Sequence, residues 1–245
     1  MTLYRQLQRD ANAGKKKFAL LIDPDKNSLP GIKKMTELAN AAGTDYFFMG
    51  GSLLLNDHLP EFIAYIRGHS NIPVILFPGN NLQLNDKANG ILLLSLISGR
   101  NPELLIGRHV ISAPFLKKSK LEIIPTGYLL IDGGNTTTVA YMSNTTPIPA
   151  NKSEIAVCTA MAGEMLGMKL IYMDAGSGAR QPVPPAMIEQ VKSQIRLPLI
   201  IGGGITTPEM AWAAVQAGAD VIVVGNAIEN DPMLISRMTK AVHGG

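Results

Sequence analysis

The chain has 245 residues, 46% hydrophobic and 17% charged, which excludes disorder as a description of the whole and suits one globular domain, residues 1–245, with a sizeable core. Its 22 Lys and Arg against 19 Asp and Glu leave a net charge of +3, and no stretch gathers those cations into a nucleic-acid patch. The lone cysteine, Cys158, rules out an intrachain disulfide or a cysteine-based zinc site and fits a reducing compartment.

The first residues, Met1 to Gln6, lack the apolar core of a secretory signal. No apolar run approaches the roughly 20 residues of a membrane span, so the expectation is a cytoplasmic protein with at most peripheral membrane contact. The Lys15-Lys16-Lys17 run reads as a solvated entrance to the first strand.

Eight short apolar runs follow, bounded by Gly, Pro or Asp: Phe18–Asp23, Tyr46–Met49, Val74–Phe77, Ile91–Leu94, Gly127–Ile131, Leu170–Met173, Leu199–Ile201 and Val221–Val224. Their hydrophobicity is continuous rather than alternating, as in parallel strands covered on both faces. Between most of them lie helical segments. One runs from Ser28-Leu29-Pro30 to Ala42 and stops at Gly43, another opens at Thr207-Pro208 and stops near Gly218, and a third begins at Asp231-Pro232. Trp212 is expected to pack the second against the barrel. Residues 101–118 read as helix with a break at Pro114, and residues 132–152 as a long polar insertion, a lid or a mobile loop.

Eight strands with helices between them in this length match a modified (β/α)8 TIM-type barrel. A doubly wound open sheet is the competitor, disfavoured because the first strand leads into Asp23-Pro24-Asp25-Lys26 instead of a glycine-rich dinucleotide fingerprint.

Three glycine-bearing strand ends come last: Asp174-Ala175-Gly176-Ser177-Gly178, Gly202-Gly203-Gly204-Ile205 and Gly225-Asn226-Ala227-Ile228-Glu229. Glycine lets backbone N–H groups approach an anion closely, and barrels of this type bind phosphate with the loops after strands seven and eight. Asn226 also looks like the start of a short helix. The plainer reading, that these glycines only turn the chain, weakens when three motifs fall at consecutive strand ends. Asp23, Asp25 and Asp174 end predicted strands at the catalytic face, and Ser52 follows Gly50-Gly51. Hard oxygen donors beside a phosphate suit Mg2+, although Asp-Pro-Asp also makes an ordinary capped turn. Strand alternation points Tyr172 and Asp174 the same way, a possible general base beside an aromatic wall.

Taken together, Phe18 to Lys26, Gly50-Gly51-Ser52, Tyr172 to Gly178, Ile201 to Ile205 and Val224-Gly225-Asn226 resemble the geranylgeranylglyceryl phosphate synthase family, which includes bacterial heptaprenylglyceryl phosphate synthases. The resemblance implies a barrel that alkylates the 3-hydroxyl of sn-glycerol 1-phosphate with a polyprenyl diphosphate, geranylgeranyl diphosphate in the first instance, releasing diphosphate on the way to ether lipids. It implies Mg2+ held at Asp23 and Ser52. It implies glycerol phosphate held by Tyr172, Met173, Asp174, Ala175, Gly176, Ser177, Gly178, Gly203, Gly204, Gly225 and Asn226, with Asp174, where the family commonly has Glu, and Tyr172 in the catalytic role. It also implies a homo-oligomer, a dimer or hexamer. Tyr128, Leu130 and Pro114-Phe115-Leu116 are candidates for lining a prenyl groove. A sugar-phosphate isomerase or aldolase, for which Lys26 is the nearest Schiff-base candidate, and a non-catalytic phosphate or flavin carrier are the alternatives.

Overall fold

In the computed structural model, which describes residues 1–53, 55–56 and 58–244, eight parallel strands close on themselves in chain order. They are β1 (Lys17–Ile22), β2 (Tyr46–Met49), β3 (Val74–Leu76), β4 (Gly90–Leu96), β5 (Glu122–Leu130), β6 (Leu170–Asp174), β7 (Leu199–Gly202) and β8 (Val221–Val224). Pairing of β1 with both β2 and β8 completes the cylinder and excludes the open sheet. Each predicted run is a strand. Only β5 starts well before its predicted boundary, taking in Pro125. Its register with β6 begins at Thr126, and the Pro125 carbonyl accepts from the Lys169 N–H at 2.8 Å, so Pro125 stands at the very start of that ladder.

Alternate residues of each strand serve two different cores. Phe18, Leu20 and Ile22 of β1, with Ile171 and Met173 of β6, pack outward under the helices. Ala19, Phe48, Tyr128, Leu130, Tyr172, Ile200 and Val223 fill the interior. Helix α1 (Leu3–Asn12) plugs the lower end, where Leu7, Leu3 and Tyr4 join the interior cluster. The Leu3 and Tyr4 N–H groups, which have no partner inside the helix, donate to the Glu122 carboxylate. With that end plugged, the barrel interior opens at its C-terminal mouth.

Cap chemistry sets the outer helices. The Ser28 side chain accepts from the Gly31 N–H to start α2 (Leu29–Ala42), and Gly43 ends it in the left-handed conformation. Helix α3 spans Leu59–His69. Thr207 accepts from the Met210 N–H to start α8 (Pro208–Gln216). The last helix, α10 (Leu234–His243), starts just past Asp231-Pro232. Helices α6 (Ser153–Met165) and α7 (Pro185–Gln194) flank β6 in sequence, and a short α9 (Asn226–Asn230) begins at Asn226 as expected.

Four expectations need correction. The helix over residues 101–118 does not break at Pro114. Its irregularity is a π-helical turn at Glu103–Gly107, after which α4 (Arg108–Lys118) runs through the proline. The carbonyl that Pro114 cannot serve belongs to Val110, a residue 67% exposed, so the helix meets the proline on its solvent side. Residues 132–152 are not one loose loop. They hold α5 (Thr138–Ser143) and fold back through paired hydrogen bonds of Ile148 to Leu130 and Asp132. Lys16 and Lys17 are not merely solvated, since Lys17 pairs with Asp10 and Asp45, and Lys16 with Asp220. Trp212 does not pack on the barrel; it is 43% exposed.

No helix separates β3 from β4. The loop over residues 77–89 is held instead by Gln83, whose buried amide accepts from the Gly79 N–H at 2.8 Å and donates to the Gly51 carbonyl at 3.0 Å.

Candidate active site

A cavity of about 560 Å³ opens at the C-terminal mouth, the end where barrels of this kind carry their chemistry. Its floor is made by residues that strand alternation turns inward, among them Leu21, Phe77, Tyr128, Tyr172, Asp174 and Val223. One side is polar, formed by the loops after β1, β6, β7 and β8. The other is apolar, formed by β4, the π-turn, α4 and α5.

On the polar side, Gly176, Ser177, Gly178, Gly203, Gly204, Gly225 and Asn226 all line the cavity. At Gly203 the conformation itself demands glycine: φ is +77°, and a Cβ there would stand 2.5 Å from Asp174 Oδ1 and from the Gly176 nitrogen. Met173 and Ala175 do not line the cavity. Alternation sends their side chains into the outer core, so those two predicted contacts reduce to backbone.

Lys26 reaches into this cradle from the loop after β1. Its Nζ lies 3.2 Å from both Ser177 Oγ and Asn226 Oδ1 and 3.6 Å from Asp23 Oδ2. It is the one lysine among the described residues lining the cavity. The sequence offers Lys26 only as the nearest Schiff-base candidate; nothing local to Asp25-Lys26 shows that its side chain reaches Ser177 and Asn226.

Asp174 ends β6 with its side chain 7% exposed relative to free Asp. Its Oδ2 accepts from Tyr128 Oη at 2.5 Å and its Oδ1 from the Gly176 N–H at 2.8 Å. Burial pushes its carboxyl above the usual range, and these two donors pull partly against that shift. Burial and the neighbouring Asp174 carboxylate push the hydroxyls of Tyr128 and Tyr172 well above the ordinary tyrosine value, so both stay protonated. Tyr128 spends its proton on Asp174. The Tyr172 hydroxyl has no hydrogen-bond partner among the described residues and faces the cavity, free for a ligand. Phe77, which the sequence reading left as an ordinary strand end, stacks 5.1 Å from the Tyr172 ring, and Tyr128 meets Tyr172 edge-on at 5.5 Å. These three rings form an aromatic floor beside the carboxylate.

Asp23, Asp25 and Ser52 also line the mouth, but they do different jobs. Asp25 accepts from the Leu55 and Asn56 N–H groups at 2.6 and 2.7 Å, which makes it the capping residue that the turn reading describes. The Asp23 carboxylate lies against Gly51, where a Cβ would come within 2.8 Å of it, and thus next to Ser52. Burial raises the Asp23 carboxyl, and likewise that of Glu229, whose Oε1 accepts from the Asp23 N–H at 3.3 Å. Two desolvated carboxylates with one lysine nearby form a hard, anionic donor set that a divalent cation such as Mg2+ would suit. No group of three or more metal-ligating side chains occurs among the described residues, so other oxygens, such as those of a phosphate-bearing ligand, would have to complete the coordination. Glu229 closes the last glycine motif of the sequence, but nothing local to that motif assigns its carboxylate a role, because its partner Asp23 lies at the other end of the chain.

On the apolar side, Leu93, Leu94, Leu104, Leu116, Val139 and Met142 line the chamber with Tyr128. Leu130 is wholly buried in the interior core, and Pro114 and Phe115 lie on the outer face of α4, so those three groove candidates are corrected. Their positions follow from packing: on α4 the buried face is that of Ser112 and Leu116.

Residues 11–244 match the PcrB family. The chain belongs to that family. It is 57% identical over 230 residues to a protein of Chitinophaga pinensis named geranylgeranylglyceryl phosphate synthase, covering 94% of this chain and 91% of that one. A protein of the same name from Spirosoma linguale is 53% identical over 230 residues, covering 94% and 92%. Among solved structures, the (S)-3-O-geranylgeranylglyceryl phosphate synthase of Thermoplasma acidophilum, in complex with its substrate sn-glycerol-1-phosphate, superposes with a TM-score of 0.94 at 32% identity and covers both chains fully.

Proposed function

We propose that this PcrB-family protein is a prenyltransferase that joins the 3-hydroxyl of sn-glycerol 1-phosphate to C1 of geranylgeranyl diphosphate and releases diphosphate, a step of ether-lipid synthesis. One observation carries this reading: a single cavity holds a glycine-lined anion cradle, a buried carboxylate and an apolar chamber in continuity. The relatives' names and the glycerol-phosphate complex of a close structural neighbour support the same substrates.

In this reading the phosphate of the acceptor rests on the backbone of Gly176, Ser177, Gly178, Gly203, Gly204 and Gly225 with Asn226, and Lys26 neutralises it from the opposite loop. The Met173 and Ala175 backbones border this cradle. Tyr172 Oη donates to the glycerol moiety and fixes its reach. Asp174 accepts the proton of the 3-hydroxyl as that oxygen bonds to C1, and the C1–O bond to diphosphate breaks with its electron pair leaving on the diphosphate. The rings of Phe77, Tyr128 and Tyr172 offer π-faces beside the positive charge that develops on the allylic carbon. Asp23 and Ser52, with Glu229 alongside, would hold Mg2+, which supplies charge neutralisation for the leaving diphosphate.

A cytoplasmic location fits this chemistry, and among the described residues no helix is long and apolar enough to cross a membrane. Exposed apolar residues of α5 and α6, Tyr141, Ile155 and Met165, support assembly with further copies of the chain, as a dimer or hexamer. Two observations count against an aldolase: Lys26 is occupied by three oxygens, and no second lysine among the described residues reaches the cavity. The test is incubation of purified protein with Mg2+, labelled sn-glycerol 1-phosphate and prenyl diphosphates of graded length. Labelled ether product is the expected result, and its absence with every donor would overturn the proposal.

A further inference from the structure

Helix α4 exposes apolar residues on the face turned away from the cavity. Its inner face, with His109, Ser112 and Leu116, walls the cavity. Its outer face would ordinarily be charged, as on α2, which exposes Lys33, Lys34, Glu37 and Asn40. Instead α4 exposes Val110 at 67%, Ile111 at 68% and Phe115 at 40%, and Ile106 of the preceding π-turn stands at 59%.

Charge gathers on the same segment. Residues 100–120 hold five cations against the single carboxylate of Glu103; Arg108 turns into the cavity and donates to the Gly79 carbonyl at 2.8 Å, which leaves Arg100, Lys117, Lys118 and Lys120 on the outside. The cations are spread over enough sequence that no dense run advertises them. Lys117, Lys118 and Lys120 are exposed. An apolar strip flanked by cations is the composition of an interfacial helix that settles into an anionic bilayer. The alternative occupant, a second copy meeting this face across a twofold axis, would set one cationic segment against its own image.

We infer that the outer face of α4, with the π-turn before it, is the surface by which this protein docks reversibly on anionic phospholipid membranes. The apolar chamber is then separated from the bilayer by a single helix, so that a polyprenyl substrate or its lipid product passes between chamber and membrane with little exposure to water. This last consequence rests on the prenyltransferase reading; the docking surface does not.

The test is co-sedimentation of the full-length protein with phosphatidylcholine vesicles made with or without phosphatidylglycerol. Binding is expected only with phosphatidylglycerol, and should weaken with added salt. Lys117→Gln/Lys118→Gln should lower the partition coefficient on the order of tenfold, and Ile111→Ser/Phe115→Ser should abolish binding. Both double variants should keep the wild-type circular dichroism spectrum and the wild-type turnover of a short, water-soluble prenyl diphosphate. The inference is overturned if the wild type ignores anionic vesicles, if the variants bind as well as wild type, or if Ile111→Ser/Phe115→Ser instead splits an oligomer in sedimentation velocity. Vesicle binding without any prenyl transfer would sink the enzymatic reading and leave the docking surface standing.

Discussion

Tyr128 Oη and Asp174 Oδ2, on neighbouring strands of the barrel interior, are joined by a 2.5 Å hydrogen bond in which the phenol donates to the carboxylate. Two opposed effects meet in that bond. Burial lifts the Asp174 carboxyl, and the phenol lowers it again.

Tyr128→Phe removes the lowering partner and keeps the ring. The Asp174 pKa should therefore rise further, and the acid limb of the pH profile of kcat/KM should move to higher pH. A profile with an unmoved acid limb would show that Asp174 does not govern it.

Asp174→Asn tests the base itself. The amide can accept from the Gly176 N–H through its oxygen and donate to Tyr128 through its nitrogen, so the fold should survive. Turnover should fall by roughly 10²–10⁴-fold, the usual contribution of a positioned base, with KM for sn-glycerol 1-phosphate little changed. Because the native pKa of Asp174 is raised, its ionised form costs stability at neutral pH, and the cost disappears as acidification protonates it. The variant should therefore melt at or above the wild-type temperature at pH 7, and the gap should narrow toward acid.

Lys26→Met leaves the phosphate cradle without its cation. The loss of a charged hydrogen bond, about 1.5–3 kcal/mol, predicts a KM for sn-glycerol 1-phosphate raised by roughly ten- to hundredfold with kcat less affected. Isothermal titration with glycerol phosphate alone would give the same ratio.

Gly203→Ala forces a side chain onto a left-handed residue and against Asp174. Strain on the order of 1–3 kcal/mol should lower Tm, and activity should collapse because the displaced group is the carboxylate itself. Gly178→Ala, at a left-handed position with open space around it, should be milder in both readouts.

At the sealed end of the barrel, Asp45 accepts from His243 at 2.7 Å, the Phe18 N–H at 2.8 Å and Lys17 at 3.0 Å. Burial acts to raise its carboxyl, but these partners outweigh it and leave the pKa below the ordinary value. Its contribution to stability is therefore complete above the unfolded carboxyl pKa, near 4, and is lost as pH falls through the lower folded value. Asp45→Asn should destabilise the fold at pH 7 by about 1–3 kcal/mol, seen as a lower Tm, and the difference should shrink as acidification protonates Asp45 in the wild type.

Much of this was legible in the sequence because strands and glycine turns are local signals. The runs from Phe18 to Val224 carried their own boundaries, and Gly203, Gly225 and Asn226 stood where a barrel keeps its phosphate. What escaped reading was pairing between distant segments. Lys26 meets Asn226 across 200 residues, Phe77 meets Tyr172 from the far side of the cylinder, and Glu229 meets the Asp23 backbone from the last strand's loop. Alternation could have removed Met173 and Ala175 from the cradle, since it had already placed Tyr172 and Asp174 on the other side. Pro114 misled because α4 runs through it on an exposed face, where losing one hydrogen bond to the Val110 carbonyl costs less than it would in the core.

After β3, where no helix follows, the loop hangs on the amide of Gln83. That side chain matches both a carbonyl and N–H groups, a pattern that leucine lacks altogether and ionised glutamate reproduces only by half. The tie between this loop and the one after β2 thus depends on bonding pattern rather than volume, and exchanging one nitrogen for oxygen at position 83 would remove the bond to the Gly51 carbonyl while sparing the one from the Gly79 N–H.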